Sequence, residues 1–454
     1  MAKDHRLGNA EYLRQSPLTF AGLPVERLLD RGRARQAALL LLDTLGVYVA
    51  AHRMEAGQIA RTAACRLFGA GAPEDQAPLP LDGRLCSRAG MAYAAATQID
   101  NLDAHDGYNP TKGHIGCALV PALLAEAHGR HVSGAEALAA LVVGYEIAGR
   151  AGIALHRSVA DYHSSGAWNG LGVAAACARL RGLSAEQLRQ AWGIAEYHGP
   201  RSQMMREIAN PSMLHDGSGM GALVGLSAAT LAEMGFTGAP ALTVEAAEAA
   251  ECWEDLGRFW QLDHQYIKPY PVCRWAHAAI DAMRELRSAH ALQPGEIERL
   301  EIRSFRNAVA LVSGVPRTTS EAQYSLGFGV ASMAVHGSIG LPEISGAGLA
   351  DPAVADLVPR IIATQDPRFE QRYPEGRWAE VAITLRDGKV LTSGEVQARG
   401  GPEHPLSEDE IGGKFLEFTA PVLGDARAKS IWTAGLNLPK SDFAAFTALL
   451  ASAP

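Results

Sequence analysis

Between Arg35 and Met234 the chain repeats one pattern, in which Ala- and Gly-rich apolar segments of helical length and spacing are separated by short polar breaks. The pattern predicts helices over 35–51, 90–99, 120–127, 135–155, 170–180, 185–196 and 220–234. Ser133-Gly-Ala-Glu136 and Ser184-Ala-Glu-Gln187 have capping-box form, in which hydroxyl and carboxyl or amide side chains satisfy the free N–H groups of a helix start. Small side chains lose little rotamer entropy on burial, so these helices can pack closely into an all-α unit.

After Lys268 the texture changes. Leu300 to Phe305 alternates, and so does Trp378 to Arg386, which runs through Asp387-Gly388 into Lys389 to Val396. Asp-Gly between two strand-like runs signals a hairpin. Helices are expected over 275–289 and 321–335, another is capped by Ser407-Glu-Asp-Glu410, and the tail to Pro454 reads as helical. The expected fold is therefore mainly α with an α+β lid. A helical domain from residues 1–267 and 404–454 would receive a smaller α+β domain at 268–403.

With 454 residues, 48% hydrophobic and 20% charged, the chain can bury a large core and is long enough for two domains. A net charge of -8 argues against a nucleic-acid binder, which needs a basic face. No uninterrupted apolar run reaches the roughly 18 to 20 residues of a membrane span, and Met1 to Gly8 lacks a signal-peptide core. No membrane association and a cytoplasmic location are expected. Six scattered cysteines offer neither a zinc ribbon nor a CxxC pair and are expected to be plain thiols. No internal repeat suggests a solenoid.

Chemistry concentrates in Asp100-Asn-Leu-Asp-Ala-His-Asp-Gly107 and Lys112-Gly-His114, which crowd carboxylates, imidazoles and an ammonium ahead of the apolar run Ile115 to Leu124. Ionisable groups at the mouth of a core have shifted pKa values, and such groups cluster at functional sites. Three further segments are similar: Tyr162-His163-Ser-Ser-Gly166, Met213-Leu-His215-Asp216-Gly-Ser-Gly219, and Tyr266-Ile-Lys268 running on to Cys273-Arg274-Trp-Ala-His277. The last lies at the expected domain junction, where ligand pockets form. The turn Gly217 to Gly219 opens a helix and would present N–H groups to an anion. With Lys268, Arg274 and several histidines, this suits a substrate carrying more than one carboxylate. An Asp or His would act as base, and Lys268 or a cationic His would steady the enediolate.

Each residue also has a plainer reading. His114 could cap the next helix, His163 could bond loop backbone, and Lys268 could be a solvated strand-end lysine. Asp100 and Asp103 could be structural acceptors at a helix end. His105, Asp106, Lys112, His215 and Arg274 stand as binding candidates, and Tyr145 in Gly144-Tyr-Glu146 as either binding or core packing.

Five segments in order resemble the MmgE/PrpD family. They are Asp100-x-x-Asp103, Gly113-His114 leading to Val120-Pro-Ala-Leu-Leu124, Val143-Gly-Tyr-Glu-Ile-Ala-Gly-Arg150, Lys268-Pro-Tyr-Pro-Val-Cys-Arg-Trp-Ala-His277, and Pro316-Arg-Thr-Thr-Ser-Glu-Ala-Gln-Tyr-Ser325. Members include 2-methylcitrate dehydratase, cis-aconitate decarboxylase and iminodisuccinate epimerase. The resemblance implies proton transfer at carbon next to a carboxylate without metal or organic cofactor, a large helical domain with an α+β lid, and a homodimer. It carries active-site roles to Asp100, Asp103, His114, His163 and Lys268. It also marks departures: a family threonine falls at Ala104, a lysine near Ser212 with His215 close by, and a tyrosine at Phe328.

The expected function is a cofactor-independent lyase or isomerase acting on a small di- or tricarboxylate. His114 and His163 would serve as base and acid, and Lys268 as anion partner. Dehydration comes first, then epimerisation, then decarboxylation. Two rivals are a metal-dependent phosphohydrolase of HD type built on His105-Asp106, and a non-catalytic binding protein, for which Ser212 and Phe328 argue.

Overall fold

The computed structural model describes residues 17–451 and Ala453. Residues 1–16 of the expected helical domain, with the chain start read above, lie outside the described residues, as do Ser452 and Pro454 of the tail.

Several of the helices start at side-chain caps. Helix α1 (Arg31–Ala50) is capped by Asp30, whose carboxylate accepts the Arg33 N–H at 2.8 Å. Next come α2 (Glu55–Leu67), α3 (Arg88–Asp100), α4 (Gly116–Ala127), α5 (Gly134–Ser158), α6 (Asn169–Arg181), α7 (Ala185–His198) and α8 (Ser218–Glu233). Ser184 and Gln187 close a full capping box. Ser133 caps α5 alone, because Glu136 turns away to pair with Arg179 at 2.7 Å. Helix α2 was not expected, although its buried Ala56, Ala60 and Ala64 recur at helical spacing.

By length and composition the stretch Arg31–Arg53 and helix α5 are apolar enough to cross a membrane, unlike the sequence reading above. Their most apolar windows are 89% and 94% buried within the protein, as core helices are.

The α+β part follows. Helix α9 (His277–His290) precedes strand β1 (Ile297–Ser304), and the expected helix over 321–335 is split into a short turn (Thr319–Gln323) and α10 (Leu326–His336). The break falls at Ser325, whose hydroxyl accepts the Phe328 N–H and starts a new helix. Strands β2 (Ile361–Gln365), β3 (Trp378–Leu385), β4 (Val390–Thr392) and β5 (Val396–Gln397) complete the sheet. The order is β2-β1-β3-β4, with β5 also on β3; only β1 and β2 run parallel. The expected hairpin sits at Asp387-Gly388, where Gly388 takes φ +85. Ile297, Leu300 and Ile302 of β1 share a core with Ile280 and Met283 of α9 and Val330 of α10.

That core also contains Val47 and Tyr48 of α1 and Ile99 of α3. Helix α11 (Glu408–Leu423), opened by the Ser407–Glu410 capping box, returns to α1, where its Phe415 covers Gly46. Segments from both ends of the chain thus build the helical part.

Candidate active site

Helix α3 ends at Asp100, and the chain then turns through Asp103 before a two-residue strand, Gly107–Tyr108, pairs with Gln265–Tyr266. Gly107 lies so close to the Tyr266 ring that a side chain would collide with it. This pairing brings two distant segments together: Lys268 Nζ donates to Asp103 Oδ1 at 2.5 Å, out of solvent.

Around the turn lies a small cavity of about 30 Å³, room for about one water molecule. Asp103, Lys112, His114, Tyr162, Asp216, Tyr266, Cys273, Arg274, Tyr324 and Arg377 line it. Five described non-glycine residues have positive φ, and three of them are here: Asp103 (φ 51), Lys112 (φ 52) and Asp216 (φ 47). Such conformations cost free energy and persist where the surroundings enforce them, commonly at functional sites.

His114 sits just ahead of α4. Its Nδ1 lies 2.6 Å from the Asp106 carbonyl, and because a carbonyl only accepts, Nδ1 is the donor. Nε2 is the ring nitrogen left for the cavity, 3.5 Å from Asp216 Oδ2. The Ser165 hydroxyl accepts the His114 backbone N–H at 2.9 Å and donates to Asp216 Oδ1 at 2.7 Å.

The other notable wall is cationic. Arg274 is 6% exposed, stacks on Tyr266 and donates to the carbonyls of Arg399 and Ala398. Burial lowers its pKa to about 10. Arg377 stacks on Tyr373 and donates to the Pro374 carbonyl. Lys112 lies over the Tyr162 ring, and burial with the nearby Arg377 charge lowers its pKa. Among the described residues none of these three cations forms an ion pair with a carboxylate, and the buried Nε atoms of Arg274 and Arg377 have no partner. An unpaired buried cation is costly, so the arrangement is one that an incoming anion would relieve.

Other sequence candidates lie behind or beside the cavity. His105 is fully buried with its ring against His114, and both of its nitrogens lack partners. Burial, then His114 and Lys268, hold it neutral, with its pKa well below the usual histidine range. Asp100 accepts the Ser218 N–H at 2.9 Å. The start of α8, expected to receive a substrate anion, is thus occupied by the protein's own carboxylate. His215 stacks on Tyr324 beside an outer pocket of about 470 Å³ that Asp100, Glu207 and Ser212 also line.

His163 is not brought to the cavity; its Nδ1 donates to the Asp161 carbonyl at 2.9 Å. Tyr145 is core, donating to Asp106 at 3.0 Å. Lys268 reaches the cavity only through Asp103. Ala104 and Phe328 are buried apolar positions outside the lining.

Asp216, Tyr324 and Arg377 were not singled out from the sequence. Asp216 had a signal, since it stands between His215 and two glycines in a segment already marked. Tyr324 stands in the last of the five segments that resemble the family, whereas Arg377 had no signal beyond its residue type.

Two sets of ligand atoms, Asp103-His105-His114 and Asp100-His105-Cys117, lie within 4.8 Å of one another. The first suits a divalent cation poorly, because Lys268 already holds Asp103 and its charge bears on His105. The doublet His105-Asp106 does not act as a paired ligand either. His105 faces Asp100, whereas Asp106 takes the Tyr145 hydroxyl and the Gly116 N–H.

Residues 21–251 match the MmgE/PrpD N-terminal domain and residues 270–439 the MmgE/PrpD C-terminal domain. The chain is similar to cis-aconitate decarboxylase of Homo sapiens, 28% identical over 393 residues that cover 79% of this chain and 78% of the relative. It is 26% identical to the Mus musculus enzyme of that name over 440 residues, covering 91% and 87%. With that of Aspergillus terreus it shares 23% identity over 394 residues, covering 78% of each.

Proposed function

The chain belongs to the MmgE/PrpD family, and on that premise we propose that it is a lyase that moves a proton at carbon beside a carboxylate of a small di- or tricarboxylate. One observation carries this reading: His114 Nε2, the ring nitrogen not taken up by the Asp106 carbonyl, faces a cavity walled by buried Arg274 and Arg377 and half-buried Lys112, which lack carboxylate partners among the described residues.

Abstraction of a proton α to a carboxylate places a second negative charge on a substrate already anionic. Fixed cations in a cavity without bulk water offset that charge as it develops. His114 takes the proton, and the Asp106 carbonyl keeps its tautomer correct for the task. The reaction we place first is dehydration of a hydroxy tricarboxylate, which needs a base and an acid within one cavity. Decarboxylation of cis-aconitate is a second reading, supported by the names of the relatives.

The test is proton NMR of the protein in D₂O with 2-methylcitrate, citrate, cis-aconitate and iminodisuccinate. Deuterium uptake or a new alkene signal is expected, lowered about 10³-fold in His114→Ala. An alkene from a citrate favours dehydration, and loss of a carboxyl group from cis-aconitate favours the second reading. No conversion of any compound would sink both.

A further inference from the structure

The sequence pairs His114 with His163, but His163 is turned to backbone. The group that stands beside His114 in the cavity is a carboxylate. We infer that Asp216 is the second proton-carrying residue of this site, sharing one proton with His114; this deepens the lyase reading and rests on it.

Asp216 is held as a working group would be. Its backbone has φ 47, its N–H donates to Glu207 Oε2 at 2.9 Å, and its carbonyl accepts the Gly166 N–H at 2.9 Å. Glu207 is itself fixed by the Tyr324 hydroxyl at 2.7 Å. Ser165 donates to Oδ1 and leaves Oδ2 for the cavity and for His114, 3.5 Å away. No cation pairs with Asp216 apart from His114, among the described residues.

The pair closes a proton cycle for dehydration. In the reactive form His114 is neutral and Asp216 carries the proton. The substrate C–H bond breaks, its proton goes to Nε2, and its electron pair forms the new C=C bond. The C–O bond breaks with its electrons on oxygen, and the Asp216 proton joins the leaving hydroxyl as water. The imidazolium then returns its proton to the carboxylate beside it, restoring the starting form. Because both groups stand together, the proton and the hydroxyl leave from the same side of the substrate.

The test compares wild type with Asp216→Asn. Asparagine accepts a positive φ as aspartate does and keeps an acceptor for Ser165, but it cannot carry the proton. Turnover of the citrates by NMR should fall about 100-fold or more. Citrate binding by calorimetry should stay within about threefold of wild type, because the amide replaces a carboxyl that is uncharged in the reactive form. A structural residue would instead lower affinity and turnover together. Turnover within about threefold of wild type overturns the proposal. If wild type converts no compound, the lyase reading fails and the His114 ring decides on Asp216: a shift of its imidazole NMR signals in the variant keeps the shared proton, and unmoved signals remove it.

Discussion

Lys414 and Arg274 are both withdrawn from water, with 8% and 6% exposure, yet they are treated oppositely. Lys414 donates to Asp43 at 2.5 Å and to the Ala104 carbonyl at 2.6 Å. Arg181 likewise meets Glu126 at 2.7 Å, and Lys268 meets Asp103. Among the described residues the buried cations of the interior have counter-charges, whereas Arg274, Arg377 and half-buried Lys112 around the cavity have carbonyls or aromatic rings but no carboxylate. Burial alone therefore does not mark a functional cation. What marks it is burial without neutralisation, a debt that a bound anion removes.

The contrast can be broken most forcefully at an interior pair. Asp43→Asn leaves Lys414 buried and unpaired, and should lower unfolding free energy by about 3–5 kcal/mol in urea titrations. If the loss is below about 1 kcal/mol, interior pairing is not what separates the two regions.

The same comparison applies to carboxylates. Asp43 has Lys414, but Asp106 has only neutral donors and the His114 ring nearby, and burial raises its pKa to about 6. A carboxyl whose folded pKa exceeds its unfolded one binds more protons in the native state, so its contribution to stability is lost as pH rises from about 4 to 6. Relative to wild type, Asp106→Asn should flatten the stability curve in that window by about 1–3 kcal/mol, read from urea midpoints against pH. A parallel curve would show that Asp106 is neutralised in some other way.

At the cavity the effect should appear in binding. Lys112→Met and Arg377→Met should each weaken citrate about tenfold by calorimetry while changing stability by less than about 1 kcal/mol. If either variant unfolds readily and binds citrate normally, that cation belongs with the structural set.

Much of this organisation was legible in the chain. Caps at Ser133, Ser184 and Ser407 and the Asp387-Gly388 turn depend on neighbours in sequence, and each formed where its residues stand. Signals failed where the deciding partner was remote. Ser325 is the exception, since the N–H that its hydroxyl accepts belongs to Phe328, only three residues on. His215 and Asp216 are adjacent, and only the left-handed backbone at Asp216 decides which of them faces His114. His163 took its plainer reading, a bond to loop backbone, whereas Lys268 is not solvated, because tertiary packing gives it Asp103 as partner. Arg377 follows an ordinary turn, and its meaning appears only once Lys112 is seen beside the same space.

The size of that space has a kinetic consequence. Ligand sites commonly enclose about 300–1,000 Å³, and this one encloses about 30 Å³. A tricarboxylate therefore needs a wider form of this site than the one described, and its observed affinity is its intrinsic affinity scaled by the fraction of molecules in that form. Capture should saturate: above some ligand concentration, the rate of association stops rising and reports the opening rate of the protein itself.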